Sequence, residues 1–97
     1  MKKLPKPLAF EWDKGNVNKN FKKHKVTNIE AEEIFKNNPL IIFDDANHSL
    51  TEKRFIAHGI TSKERNLTII FTLRSQKIRI ISARIQNKKE RKIYEKK

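Results

Sequence analysis

The sequence contains no cysteine, only two glycines and three prolines in 97 residues, and 11 acidic against 23 basic residues. The lack of cysteine excludes disulfides, thiolate zinc sites, iron–sulfur clusters and a cysteine nucleophile. The isolated Gly15 and Gly59 exclude a glycine-rich phosphate loop. The longest purely apolar run, residues 40–43, is far shorter than the roughly 20 residues that span a membrane. Two prolines within residues 5–7 interrupt any signal peptide. We therefore expect a cytoplasmic protein without membrane association.

The length predicts one domain, residues 1–97. Leu, Ile, Val and Phe together supply 27 residues. This is well above the share of about 20% below which a highly charged chain is expected to be disordered. The chain should therefore fold around a small core.

Positive charge is concentrated at the two ends of the chain, and the formal net charge is +12. Residues 1–25 contribute +6, residues 26–73 contribute −2 and residues 74–97 contribute +8. Such an excess opposes compaction and favours a polyanionic partner. A genome biased toward Lys, Asn and Ile would also explain the many lysines, but it explains less well the arginines clustered at positions 74, 79, 84 and 91.

The residue pattern predicts an α+β fold with a small antiparallel sheet, two N-terminal helices and a C-terminal helix. The second helix carries the clearest start signal, because Thr27 and Glu30 have capping-box spacing. Asp13 is the expected N-cap of the first helix. The predicted strands are residues 8–12, 40–43, 53–61, 67–74 and 77–85, and the predicted helices are residues 14–24, the segment after Thr27, and residues 86–95.

The last two predicted strands form a hairpin if Ser75 and Gln76 are its turn. The register then pairs Leu73 with Ile78, Phe71 with Ile80 and Ile69 with Ser82 on a core face. Arg74 and Arg79 become diagonal neighbours on the other face. Two arginines fixed on a rigid sheet can bind one phosphate and stabilise charge on phosphorus. The alternative interpretation is an ordinary solvated sheet face.

Arg84 has the opposite parity to Arg79 and would point toward the core in a regular strand. Either a β-bulge near residues 82–83 reverses this parity, or Arg84 lies at the rim of the apolar face.

The three histidines, His24, His48 and His58, lack metal-ligand spacing, so we expect no metal and no cofactor. Proton transfer and electrostatic stabilisation alone suffice for RNA cleavage through a neighbouring 2′-hydroxyl. Three of the candidate acids and bases also have a structural explanation, which is helix capping for His24, partial burial for His58 and core anchoring for Tyr94. The candidates are Lys23, His24, Glu52, His58 and Tyr94.

Several motifs resemble those of the BrnT toxins, ribonucleases of type II toxin–antitoxin systems with a RelE-like fold. The most specific are residues 79–84, Arg-Ile-Ile-Ser-Ala-Arg, and Glu90-Arg91 followed by Tyr94. The other matching segments are Phe10-Glu11-Trp12-Asp13, Asn20 with Lys23-His24 and Val26, Glu30-Ala31 with Ile34-Phe35 and Pro39, and Glu52-x-Arg54-Phe55.

The resemblance implies a metal-independent ribonuclease that cleaves RNA and inhibits translation. It also implies a cognate BrnA-like antitoxin, through which alone the complex would contact operator DNA. We expect a catalytic group of Arg74, Arg79, Lys23 and His24. The residues expected to bind substrate or organise the site are Arg54, Arg84, Glu90, Arg91 and Tyr94. Two alternatives remain, a non-catalytic basic nucleic-acid-binding module and an interaction domain for an acidic protein.

Overall fold

The computed structural model describes residues 4–12, 19–45 and 52–96. Its strands form one five-stranded sheet in the order β1-β5-β4-β3-β2, which confirms the α+β class. No helix within these ranges is long and apolar enough to cross a membrane. The elements are β1 (Phe10–Glu11), α1 (Lys19–His24), α2 (Asn28–Glu33), β2 (Ile41–Asp44), β3 (Arg54–Ile60), β4 (Asn66–Arg74), β5 (Lys77–Ile85) and α3 (Lys88–Glu95).

The sheet is mixed, so the predicted antiparallel sheet is wrong at one edge. Strand β1 runs parallel to β5, with Phe10 opposite Ile78 and Glu11 opposite Arg79. The pairs β2–β3, β3–β4 and β4–β5 are antiparallel. An apolar pattern indicates a strand but not its partner or direction, because pairing is decided by tertiary packing. For the same reason only two of the five residues predicted for β1 are paired.

The core lies on the face of the sheet that packs against the α2 segment. Phe35, just after α2, contacts Phe71 of β4 edge-to-face with ring centroids 5.2 Å apart, and Phe10 of β1 at 5.7 Å. Ile34 approaches β3 so closely that a Cβ added to Gly59 would lie 2.7 Å from the Cβ of Ile34. Glycine at this position therefore lets α2 pack directly on the strand.

The capping box predicted for α2 is confirmed. Thr27 accepts a hydrogen bond from the Glu30 backbone N–H, and the Glu30 side chain accepts from the Thr27 backbone N–H. A second capping box, formed by Asn87 and Glu90, begins α3. The described part of the first predicted helix is α1, whereas the expected N-cap Asp13 lies outside the described residues, as does His48.

The predicted hairpin turn is confirmed, since Ser75 and Gln76 both have positive φ values, 50° and 65°. The register is confirmed from Arg74–Lys77 to Phe71–Ile80 but is wrong beyond, because Ile69 pairs with Ala83 instead of Ser82. One extra residue of β5 forms a bulge at that point. Since one inserted residue reverses parity, the bulge brings Arg84 to the side of the sheet that carries Arg79.

Candidate functional site

The side of the sheet opposite the core carries a group of cations near the β4–β5 turn, which we call the basic face. Arg79 of β5 pairs with Thr72 of β4, which pairs with Arg54 of β3. Residues paired across neighbouring strands share a face, and two strand spacings separate Arg54 from Arg79 by about 10 Å. Arg74 lies opposite Lys77, one pleat nearer the turn. The prediction that Arg74 and Arg79 share one surface is confirmed.

The middle of this face is built on a buried hydroxyl. Thr72 is only 2% exposed, and its side chain donates a hydrogen bond to the Lys53 carbonyl oxygen at 2.7 Å. This contact joins β4 to the residue preceding Arg54. Arg54, Thr72 and Arg79 therefore lie in a row that is held by the backbone hydrogen bonds between β3, β4 and β5. The Thr72 hydroxyl adds a side-chain hydrogen bond between β4 and the start of β3. These contacts fix the backbone positions of the two arginines.

Each of the two predicted phosphate-binding arginines has a carboxylate beside it. A guanidinium nitrogen of Arg79 lies 3.5 Å from Glu11, and one of Arg74 lies 3.5 Å from Glu52. The Arg79 side chain is 22% exposed and that of Arg74 is 50% exposed. Ion pairs of this length at a surface stabilise a protein by about 0–1 kcal/mol. A phosphate group can therefore compete with Glu52 for the half-exposed Arg74 without a large penalty.

The same side of the sheet, at its other end, is covered by α3. Glu90 of α3 accepts hydrogen bonds from both terminal nitrogens of Arg84, at 2.7 and 2.8 Å, and from the Thr68 hydroxyl at 3.0 Å. Burial alone would raise the pKa of Glu90, but the hydrogen bonds from Arg84, the Asn87 backbone and Thr68 outweigh it and lower the pKa to about 2. The hydrogen bond with Glu90 raises the pKa of Arg84.

His58 and Tyr94 complete the contact between α3 and the sheet. His58 shares a register row with Thr68 and Arg84 and is 5% exposed. Burial lowers the pKa of His58, while Glu90 raises it and Arg84 lowers it further. The Tyr94 hydroxyl donates to the Pro39 carbonyl oxygen at 2.5 Å, and burial raises its pKa. These side chains hold α3 against the rest of the fold.

The comparison with protein families decides the assignment of the chain. A family model described as "Ribonuclease toxin, BrnT, of type II toxin-antitoxin system" matches residues 12–90. The chain belongs to the BrnT toxin family. A search of curated proteins finds no match. The resemblance inferred from the motifs is thereby confirmed, and BrnT proteins are ribonuclease toxins that act with an antitoxin.

In this BrnT toxin the predicted catalytic residues do not all meet. Lys23 and His24 end α1, and the carbonyl oxygen of the next residue, Lys25, accepts a hydrogen bond from Arg65 at 3.1 Å. Arg65 precedes β4, whereas Arg74 ends it. With about 3.3 Å per strand residue, those two ends are separated by roughly 25–30 Å. Arg74 and Arg79 thus share one face near the β4–β5 turn, whereas Lys23 and His24 lie on a helix that packs against β5 and ends beside Arg65, at the other end of β4.

The predicted substrate-binding residues of the BrnT chain also divide into two groups. Arg54 belongs to the basic face, while Arg84, Glu90 and Tyr94 form the contact beneath α3 described above. Arg91 is exposed on α3. No cluster of three or more His, Asp or Glu suited to a metal ion occurs among the residues that the structure describes.

Glu11 is a residue of this face that was absent from the predicted site. Its position depends on the parallel pairing of β1 with β5, which places it beside Arg79. The tetrapeptide Phe10-Glu11-Trp12-Asp13 was the available signal, but nothing in it specifies the partner strand.

Proposed function

We propose that this BrnT toxin cleaves RNA at the basic face, with Arg79 and Arg74 binding the scissile phosphate. Arg54 would bind an adjacent phosphate or a second oxygen of the same one. The observation that carries this proposal is the row of Arg54, Thr72 and Arg79 on three paired strands, with Arg74 one pleat away. Guanidinium groups are suited to this task because their planar forks match phosphate oxygens.

The chemistry that these groups support is metal-independent attack by the 2′-hydroxyl on the neighbouring phosphate. Charge builds up on the nonbridging oxygens in the five-coordinate transition state. Fixed cations at these oxygens stabilise that state more than the ground state, which is the condition for accelerating the reaction. Arg79, 22% exposed beside Arg74, supplies such a cation with little reorganisation.

The remaining predicted residues take supporting roles in this proposal. Lys23 and His24 would contact RNA away from the cleaved bond, since α1 ends at the far end of β4. Arg84, Glu90 and Tyr94 would position α3, and the exposed Arg91 on that helix would contact the RNA path.

The biological setting follows from the family. We propose a RelE-like toxin that inhibits translation in the cytoplasm and is neutralised by a cognate BrnA-like antitoxin. Contact with operator DNA would be made through the antitoxin alone. A binding module without catalysis, the alternative prediction, is not favoured by a family of ribonuclease toxins.

The deciding experiment compares the wild-type protein with Arg79→Ala on RNA in the presence of EDTA. Removing a cation that stabilises transition-state charge is expected to lower the cleavage rate about 100-fold or more. Lys63→Ala is the control, because it removes one exposed positive charge from the β3–β4 turn. Binding of RNA without any cleavage by the wild-type protein would contradict the proposal. So would full activity of a folded Arg79→Ala protein.

A further inference from the structure

Strand β1 is only two residues long, but contacts on both sides of Glu11 in the chain fix its position. Phe10 packs on Phe35, and the Trp12 indole N–H donates to Glu32 of α2 at 2.7 Å. Both neighbours of Glu11 are therefore anchored on the core side. Because side chains alternate along a strand, Glu11 emerges on the opposite side, next to Arg79.

The resulting row of side chains runs across four strands and contains both arginines and a carboxylate. Arg54, Thr72, Arg79 and Glu11 lie side by side on β3, β4, β5 and β1. The scissile phosphate, bound by Arg79 and Arg74 as proposed above, would therefore have the Glu11 carboxylate beside Arg79. An ionised carboxylate is an acceptor without protons of its own, which is what removal of a hydroxyl proton requires.

Three other candidate acceptors are bonded elsewhere, buried or distant from the row. Glu90 receives two hydrogen bonds from Arg84 and one from Thr68, and His58 is buried beneath α3. His24 lies at the far end of the sheet. Glu52, beside Arg74, is the competing carboxylate. It precedes β3 rather than lying within a strand, and the arginine beside it is 50% exposed.

We propose that Glu11 is the general base of the cleavage reaction, which rests on the proposed function above. Glu11 takes the proton of the 2′-hydroxyl, and the 2′ oxygen forms a bond to phosphorus. The bond from phosphorus to the 5′ oxygen breaks, and that oxygen takes a proton from a water molecule. The products are a 2′,3′-cyclic phosphate and a 5′-hydroxyl, and Glu11 returns its proton to solvent. Arg79 both orients the carboxylate and stabilises the phosphorane.

The test is the pH dependence of single-turnover cleavage by wild type, Glu11→Gln and Glu52→Gln. The glutamine amide oxygen can still accept a hydrogen bond from Arg79, so RNA binding should be kept. The rate of Glu11→Gln should fall about 100-fold or more, as expected for loss of a general base. Its rate should also lose the decline at acidic pH that protonation of the base produces in the wild type. If the Glu11–Arg79 ion pair had a purely structural role, Glu11→Gln would lower the cleavage rate without removing the decline at acidic pH.

Two further variants complete the design. Glu11→Asp keeps a carboxylate and should retain the acidic decline at a reduced rate, so it tests the proposal even if Glu11→Gln fails to fold. Glu64→Gln, an exposed site in the β3–β4 turn, should leave the profile unchanged. Loss of the decline in Glu52→Gln instead of Glu11→Gln would overturn the assignment while leaving the proposed function intact. Absence of cleavage by the wild type would overturn both.

Discussion

Arg84 and Glu90 form a bidentate ion pair between β5 and α3, with nitrogen–oxygen distances of 2.7 and 2.8 Å. The side chain of Glu90 is only 18% exposed, and it accepts a further hydrogen bond from the Thr68 hydroxyl. The pair connects the last helix to the strand that carries Arg79. It therefore stabilises the fold next to the basic face without contributing a cation to it.

Replacing Arg84 by Ala should lower the free energy of unfolding by about 1–2 kcal/mol, because a partly buried carboxylate loses its charged donor. For a domain of this size each kcal/mol corresponds to a shift of about 4–8 °C in Tm. Thermal unfolding followed by circular dichroism measures the change. Arg91→Ala is the matched control, since Arg91 is exposed on α3 and its removal should leave Tm nearly unchanged. Equal Tm values for both variants would contradict this role of Arg84.

The same pair predicts how stability depends on pH. The pKa of Glu90 is about 2 in the folded protein, below its ordinary value of 4.5. A lowered carboxyl pKa stabilises the fold above the unfolded value, and this contribution is lost as the pH falls from about 4.5 toward 2. The free energy of unfolding, measured with urea at several pH values across this range, should therefore fall more steeply with decreasing pH for wild type than for Glu90→Gln. Parallel curves would show that Glu90 is not the group responsible.

Close packing of α2 on β3 gives a prediction about the core. A methyl group at position 59 would lie 2.7 Å from the Cβ of Ile34, whose backbone is held by α2. Gly59→Ala should cost about 1–3 kcal/mol by overpacking, and the lower Tm should appear in the same thermal assay. An unchanged or raised Tm would mean that α2 moves away from the sheet without penalty.

Local sequence signals predicted the parts of the fold that depend on neighbouring residues. The Thr27–Glu30 capping box and the Ser75–Gln76 turn are examples, because capping and turn geometry involve residues close in the chain. The bulge that reorients Arg84 was foreseen only as one of two alternatives. Its place depends on how β5 packs against β4 and α3, which no local pattern contains.

The candidate site shows the same division. Arg74 and Arg79 could be placed on one face because their hairpin is local. Grouping Lys23 and His24 with them required knowledge of where α1 ends relative to β4, which depends on contacts distant in sequence such as Arg65 to Lys25. Glu11 was missed for a related reason, since its neighbour in the sheet is 68 residues away.

The distance between α1 and the basic face gives a kinetic prediction. His24→Ala and Lys23→Ala should raise the RNA concentration needed for half-maximal cleavage and leave the saturated rate within about twofold, the signature of lost uniform binding. Arg79→Ala should lower the saturated rate itself. Steady-state cleavage of one RNA substrate by the three variants separates the two effects. A large fall in the saturated rate of His24→Ala would place that histidine at the reacting phosphate.

Salt dependence tests whether Arg54 contacts a phosphate. For single-stranded nucleic acid, the logarithm of the binding constant falls with the logarithm of salt concentration by about 0.7 per neutralised phosphate. Arg54→Ala should reduce this slope by about 0.7 if its guanidinium binds one phosphate beside Arg79. Binding is measured with 2′-O-methyl RNA, which cannot be cleaved through the 2′ oxygen. Lys36→Ala should keep the wild-type slope, because Lys36 is exposed directly after α2, on the face of the sheet opposite to the basic face. An unaltered slope in Arg54→Ala would remove Arg54 from the RNA-binding row and restrict phosphate binding to Arg74 and Arg79.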